Sequence, residues 1–148
     1  MNATEDEIGP VDVVVIGYPP GAPARGDSVP ILLDLVDRGI IRVFDALFVR
    51  KAQDGAISRF DLGDVNTEMA GDLTALAGAS TGLLDDDDAA RVAAEIEPGA
   101  AAVAIVYENR WAAPFVASVR RNGGTLITNQ RVGAEELLAA LDAAEARA

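Results

Sequence analysis

Uninterrupted apolar runs alternate along the chain with segments of helical periodicity. Val11–Tyr18 (VDVVVIGY) and Ala101–Tyr107 (AAVAIVY) predict strands covered on both faces of a sheet. Ile40–Lys51 (IIRVFDALFVRK) predicts another strand, with Val43, Leu47 and Val49 sharing a face and Arg42 and Arg50 solvated. Phe44 and Phe48 fall on its other side. Gln53-Asp54-Gly55 predicts a hairpin turn, and Ala56–Leu62 the returning antiparallel strand.

Helical spacing appears in four further places. Ile31, Leu32, Leu35 and Val36 share one face of a helix capped by Asp27 or Ser28, begun at Pro30 and ended by Gly39. Ala89–Ile96 follows the acidic start Asp85–Asp88 and stops at Pro98-Gly99. Ala112–Arg121 leads through Gly123-Gly124 to an expected strand at Thr125–Gln130. Ala134–Ala146 carries the stripe Leu137, Leu138, Leu141. Met69–Leu84 is also helix-compatible but rich in small residues, so it must recover by close packing what its glycines cost.

Pro30 and Gly39 bracket one apolar helix, and Pro114 and Gly123 bracket another at the same spacing. Each follows a strand ending in tyrosine, Tyr18 or Tyr107. Two such β-α-β units with a strand pairing between them predict an α+β fold, a ferredoxin-like sandwich with a two-fold internal repeat. The expected organisation is a disordered acidic lead over residues 1–10 and a single domain over 11–148. A helical insertion at 63–99 separates the halves, and a C-terminal helix closes the chain.

Composition then narrows the chemistry. The chain has 148 residues, enough for one core, with no cysteine and no histidine. Thiol nucleophiles, thiolate metal sites and the usual general base are therefore missing, and the expectation is a non-enzymatic protein with no cofactor and no metal. A net charge of −12 repels phosphate backbones and anionic membranes, so no nucleic-acid partner and no stable membrane insertion are expected. The N-terminus MNATEDEIGP has no apolar signal-like region, which by elimination predicts a cytoplasmic protein. Lys51 is the sole lysine among many arginines, a usage that suggests a GC-rich bacterial genome.

The densest chemistry is the burst Tyr107-Glu108-Asn109-Arg110-Trp111 at the end of an expected central strand. Three readings stand side by side. A polar ligand could bind Glu108, Asn109 and Arg110, stack on Trp111 and lean on the Tyr18 loop. Alternatively, Asn109 caps the next helix, Arg110 pairs with an acid and Trp111 fills a gap between helix and sheet. In the third, Trp111 belongs to a protein interface. The Pro/Gly loop from Tyr18 to Gly26 lacks phosphate-loop spacing and reads as a solvated connector. Gly71, Ala75, Gly78, Ala79 and Gly82 form a small-residue face suited to helix packing within the chain or self-association. Asp85–Asp88 reads as an acid-rich helix start rather than a cation loop.

Several phrases together carry a resemblance: GPVDVVVIGYP, LVDRGIIRVFDALFVRK before the D-G turn, AGASTGLLDDDD, and IEPGAAAVAIVYENRWAAPFVASVRRNGG. Over about residues 9–142 the chain resembles a family of small, acidic actinobacterial proteins of unknown function. More distantly it is similar to bacterial membrane-associated or general-stress proteins, which have a longer hydrophobic middle. Here that middle is short and interrupted by Glu68, Asp72 and Asp85–Asp88. The resemblance implies a stress-related setting but no activity. The expected function is self-association, as a homo-oligomer, or binding of another protein. The alternative is a small-molecule sensor with its site at residues 107–111.

Overall fold

A computed structural model describes residues 8–22, 28–61 and 81–147. Its elements run β1 (Val11–Tyr18), α1 (Val29–Asp37), β2 (Ile41–Lys51), β3 (Ile57–Asp61), α2 (Asp86–Ala94) and β4 (Ala101–Asn109). A 3₁₀ turn (Arg110–Ala112), α3 (Ala113–Arg121) and α4 (Ala134–Ala146) follow. The four strands form one antiparallel sheet in the order β1-β4-β2-β3. The architecture is therefore α+β. Of the two apolar runs expected to be covered on both faces, Ala101–Tyr107 is central strand β4, which shares the longest ladder with β2. Val11–Tyr18 is instead the terminal strand β1 and is largely exposed.

Two split β-α-β units interlock in this sheet. β4 lies between β1 and β2, which α1 joins, and β2 lies between β3 and β4, which the segment containing α2 joins. The second crossover helix thus comes from the expected insertion rather than from the second copy of the Pro/Gly repeat. Residues 125–130 form no strand, so the unit beginning at Ala101 is not a second β-α-β. A β-competent sequence becomes a strand only by pairing, and this stretch pairs with none of the four strands.

Opposite faces of the sheet carry different cores. On one, Leu47, Val49, Ala102, Ala104 and Val106 pack against Leu84 and against Ala89, Val92 and Ala93 of α2. Alanine on both sides lets helix and sheet approach closely. On the other face, Ile41, Val43, Ile105 and Tyr107 meet Leu32, Leu33, Leu35 and Val36 of α1. Val43 therefore does not share a face with Leu47 and Val49. The register slips by one residue between Val43 and Asp45, and this bulge at Phe44 turns over the parity of all that follows.

Turns close as their residues dictate. In the hairpin, Ala52 N–H donates to the Ala56 carbonyl at 2.8 Å, and Gly55 takes φ +90°, a left-handed value that suits glycine. The Asp54 carboxylate accepts from Ala56 N–H at 2.9 Å. α1 has proline in its first turn, whereas Ser28 occupies the cap position without a side-chain hydrogen bond. The lead is packed from Ile8 onward: Gly9 is buried, so the expectation of disorder through Pro10 fails there.

Of the small-residue face, Gly71, Ala75, Gly78 and Ala79 lie outside the described residues. Gly82 is described, and its φ of +77° excludes it from a helix. Residues 81–84 are not helical, and the rest of the helix expected over Met69–Leu84 lies outside the described residues. Among the described residues, no helix is long and apolar enough to cross a membrane.

Candidate functional site

Strand alternation splits the 107–111 burst between the two faces of the sheet. Glu108 faces the α2 side and is 1% exposed, yet one carboxylate oxygen accepts from Gly9 N–H at 2.8 Å. The half-exposed Arg110 guanidinium stands 3.9 Å from the other oxygen. Tyr107 and Asn109 face the α1 side. Asn109 Nδ2 donates to the Pro10 carbonyl at 3.0 Å and to Asp12 Oδ2 at 2.8 Å. It makes no side-chain cap for the turn that follows.

Arg131 completes this second group. Its guanidinium donates to the Tyr107 hydroxyl at 2.8 Å and lies 3.7 Å from Asp12. Beside it, Asp12, Asn129, Gln130, Arg131 and Val132 line an open cleft of about 290 Å³. Residue types there suit hydrogen bonding to a small polar molecule. Arg131 and Asp12 escape a sequence reading because 119 residues separate them and Arg131 belongs to no periodic element.

Tyr18 does not join either group. It stands opposite Ala101, whereas Tyr107 stands opposite Asp12, so about 20 Å of strand separates the two tyrosines. A single ligand held by Glu108, Asn109, Arg110 and Trp111 against the Tyr18 loop is not what this geometry provides. Trp111 is 67% exposed, so it fills no gap between helix and sheet.

A second buried carboxylate, Asp45, has no local sequence signal, because it stands inside an apolar strand, at a bulge. It is 4% exposed, accepts from Leu84 N–H at 2.8 Å and lies within the bulge. Asp45 ties the segment entering α2 to the sheet. Asp85 and Asp88 are occupied with each other's backbone in a reciprocal capping box, which explains half of the acidic run.

Against these internal attachments stand large apolar residues that are exposed among the described residues. β1 is an edge strand, and Val11 (47%), Val13 (58%) and Val15 (52%) are exposed along its α2-side face. Ile16 and Tyr18 are exposed on its other face, as are Phe115 on α3 and Leu137, Leu138 and Leu141 on α4. Among the described residues, α4 buries none of its own.

One protein family matches residues 7–147, almost the full length. The chain belongs to a family of unknown function, DUF6325. No curated protein and no solved structure matches it. The family match spans the Gly9 anchor, both buried carboxylates and the whole exposed surface of β1 and α4.

Proposed function

We propose that this protein works through contact with other protein chains, by self-association, and not through catalysis. The observation that carries this is the row Val11, Val13 and Val15 standing half exposed on an edge strand. Isolated exposed hydrophobics are ordinary, but a contiguous row on a sheet edge invites pairing. The leucine stripe of α4 and the exposed Trp111 and Phe115 extend the apolar surface that an assembly would cover. The buried carboxylates support the same reading, since each is engaged with backbone N–H groups and serves as an internal tie. Light scattering across a micromolar concentration range tests it: a mass above that of one chain is expected, and a monomer throughout overturns it.

A second reading, small-molecule sensing, rests on the cleft beside Arg131, Asp12 and Tyr107. Its test is a thermal-shift screen with polar metabolites. A ligand that stabilises the wild type but not Arg131→Ala supports it, and a screen without any stabilising compound removes it.

A further inference from the structure

We infer that the partner of β1 is β1 of a second copy, joined antiparallel about a two-fold axis through Val14 to make one eight-stranded sheet. The inference rests on the self-association reading and specifies its surface and register.

The hydrogen-bond pattern of β1 fixes which groups are free. Asn109 N–H donates to the Pro10 carbonyl at 2.7 Å, and the register continues with Asp12 opposite Tyr107 and Val14 opposite Ile105. In an antiparallel ladder the N–H and C=O of one residue point the same way, and the direction alternates. Asp12, Val14, Ile16 and Tyr18 therefore turn theirs toward β4. Val11, Val13, Val15 and Gly17 turn theirs to the open edge, where among the described residues no strand pairs with them.

Only an even-numbered pairing keeps side chains of the two copies on matching faces. Setting Val14 against the partner's Val14 places Val13 opposite the partner's Val15 and Val11 opposite the partner's Gly17. All four outward N–H groups and all four outward C=O groups are then used in each chain. The half-exposed Val13 and Val15 of both copies become one band, continuous with Val106 of β4. Gly17 has open space where a Cβ would stand, which accommodates the partner's Val11.

Charge agrees with this register. Asp12 is the only charged residue of β1 and stands opposite the partner's Ile16. The two Asp12 carboxylates are then about 13 Å apart along the strands, beyond the screening length at physiological salt. β1 also lacks the usual edge protection, having no lysine, no internal proline and no bulge. Among the described residues the other terminal strand, β3, is only five residues long and contains Arg59, so a two-fold contact through β1 closes the assembly at two copies. With −12 on each chain, added salt strengthens the contact by screening repulsion.

The chain has no cysteine, so a single introduced thiol reports the register without background. Facing residues of a pair not joined by hydrogen bonds have Cα atoms about 4.5 Å apart, within disulfide reach. Val14→Cys is expected to form a disulfide-linked dimer under mild oxidation, whereas Tyr18→Cys remains monomeric on a reducing-agent-free gel. Val13→Pro removes an outward N–H but none from the β1–β4 ladder. It should raise the dimer Kd at least about tenfold, because the two-fold repeats each lost bond. Val15→Lys is the second disrupting variant, and circular dichroism checks that both remain folded. A wild type that is monomeric at high concentration overturns both self-association and this pairing. A dimer indifferent to Val13→Pro and Val15→Lys, or cross-linked equally at Tyr18→Cys, overturns the pairing alone. A wild-type monomer with the outer amides of β1 protected assigns the edge to residues 62–80 of the same chain instead.

Discussion

The backbone N–H of Gly9 donates to the side chain of Glu108 at 2.8 Å, joining residues 99 positions apart. Glu108 sits on central strand β4, and Gly9 immediately precedes Pro10 and edge strand β1, so this bond fixes where β1 begins. Nothing larger fits at position 9, because a Cβ there would collide with the Asn109 carbonyl oxygen and crowd the start of α3. Glu108→Ala leaves the Gly9 N–H buried without a partner and should cost about 1–3 kcal/mol in chemical denaturation. Gly9→Ala should destabilise by a similar amount through the clash. Stability unchanged in both variants would remove Glu108 from its role as an anchor.

Asp45 performs the matching task at the bulge. Its carboxylate accepts from Leu84 N–H at 2.8 Å and from Ala46 N–H at 3.0 Å while almost wholly buried. Asp45→Ala should lower unfolding free energy by about 1–3 kcal/mol and loosen the entry to α2. Faster amide exchange at Leu84 in that variant is the specific signature, and Ala46 alone changing would contradict the tie.

Sequence periodicity made most of this fold legible, because strands buried on both faces read as unbroken apolar runs. The Asp54-Gly55 hairpin, β4 and α4 stand where their patterns place them, and β1 has its expected bounds but lies at the edge of the sheet, exposed instead of covered. Its failures have physical causes. A bulge leaves no composition mark, so alternation alone puts Val43 with Leu47 and Val49, whereas the slip at Phe44 separates them. A β-competent segment such as 125–130 becomes a strand only by pairing with another, which local composition does not record. The 107–111 burst is contiguous in sequence but not one cluster in space, because alternation sends Glu108 and Asn109 to opposite faces. Its true neighbours, Gly9, Asp12 and Arg131, come from remote segments. Long-range pairings of this kind have no local signature.

Lys51, the sole lysine, caps a helix from outside it. Its Nζ donates to the Ala93 and Ile96 carbonyls at 3.1 Å each, at the C-terminal end of α2, where carbonyl oxygens lack helical partners and the helix dipole favours a cation. Lys51→Met should cost about 0.5–1.5 kcal/mol for each bond lost. Lys51→Arg should recover part of that loss by retaining the charge and the donors. Denaturation midpoints of the two variants check the ordering, which a wild-type-like methionine variant would break.

At the other end of α2, the Asp88 backbone N–H bonded to Asp85 is the main cause holding the Asp85 carboxyl below its ordinary value of 3.8. A lowered folded value means that the unfolded chain takes up this proton first as acid is added. The capping contribution is therefore complete above the ordinary value and is lost as pH falls through the lower folded one. A carboxyl titration by NMR should place the Asp85 midpoint below its ordinary value of 3.8. The protection of the first amides of α2 should decline over the same acid range. An Asp85 midpoint at or above the ordinary value would contradict the capping geometry.

The most direct test of the account is amide hydrogen exchange along β1 at two protein concentrations. If two copies meet at this edge, the amides of Asp12, Val14 and Ile16 are protected in dilute and concentrated samples alike, since they face β4. Those of Val11, Val13, Val15 and Gly17 exchange quickly when dilute and slow together as concentration rises. Outward amides that exchange quickly at every concentration, or that are protected without regard to it, would contradict the account.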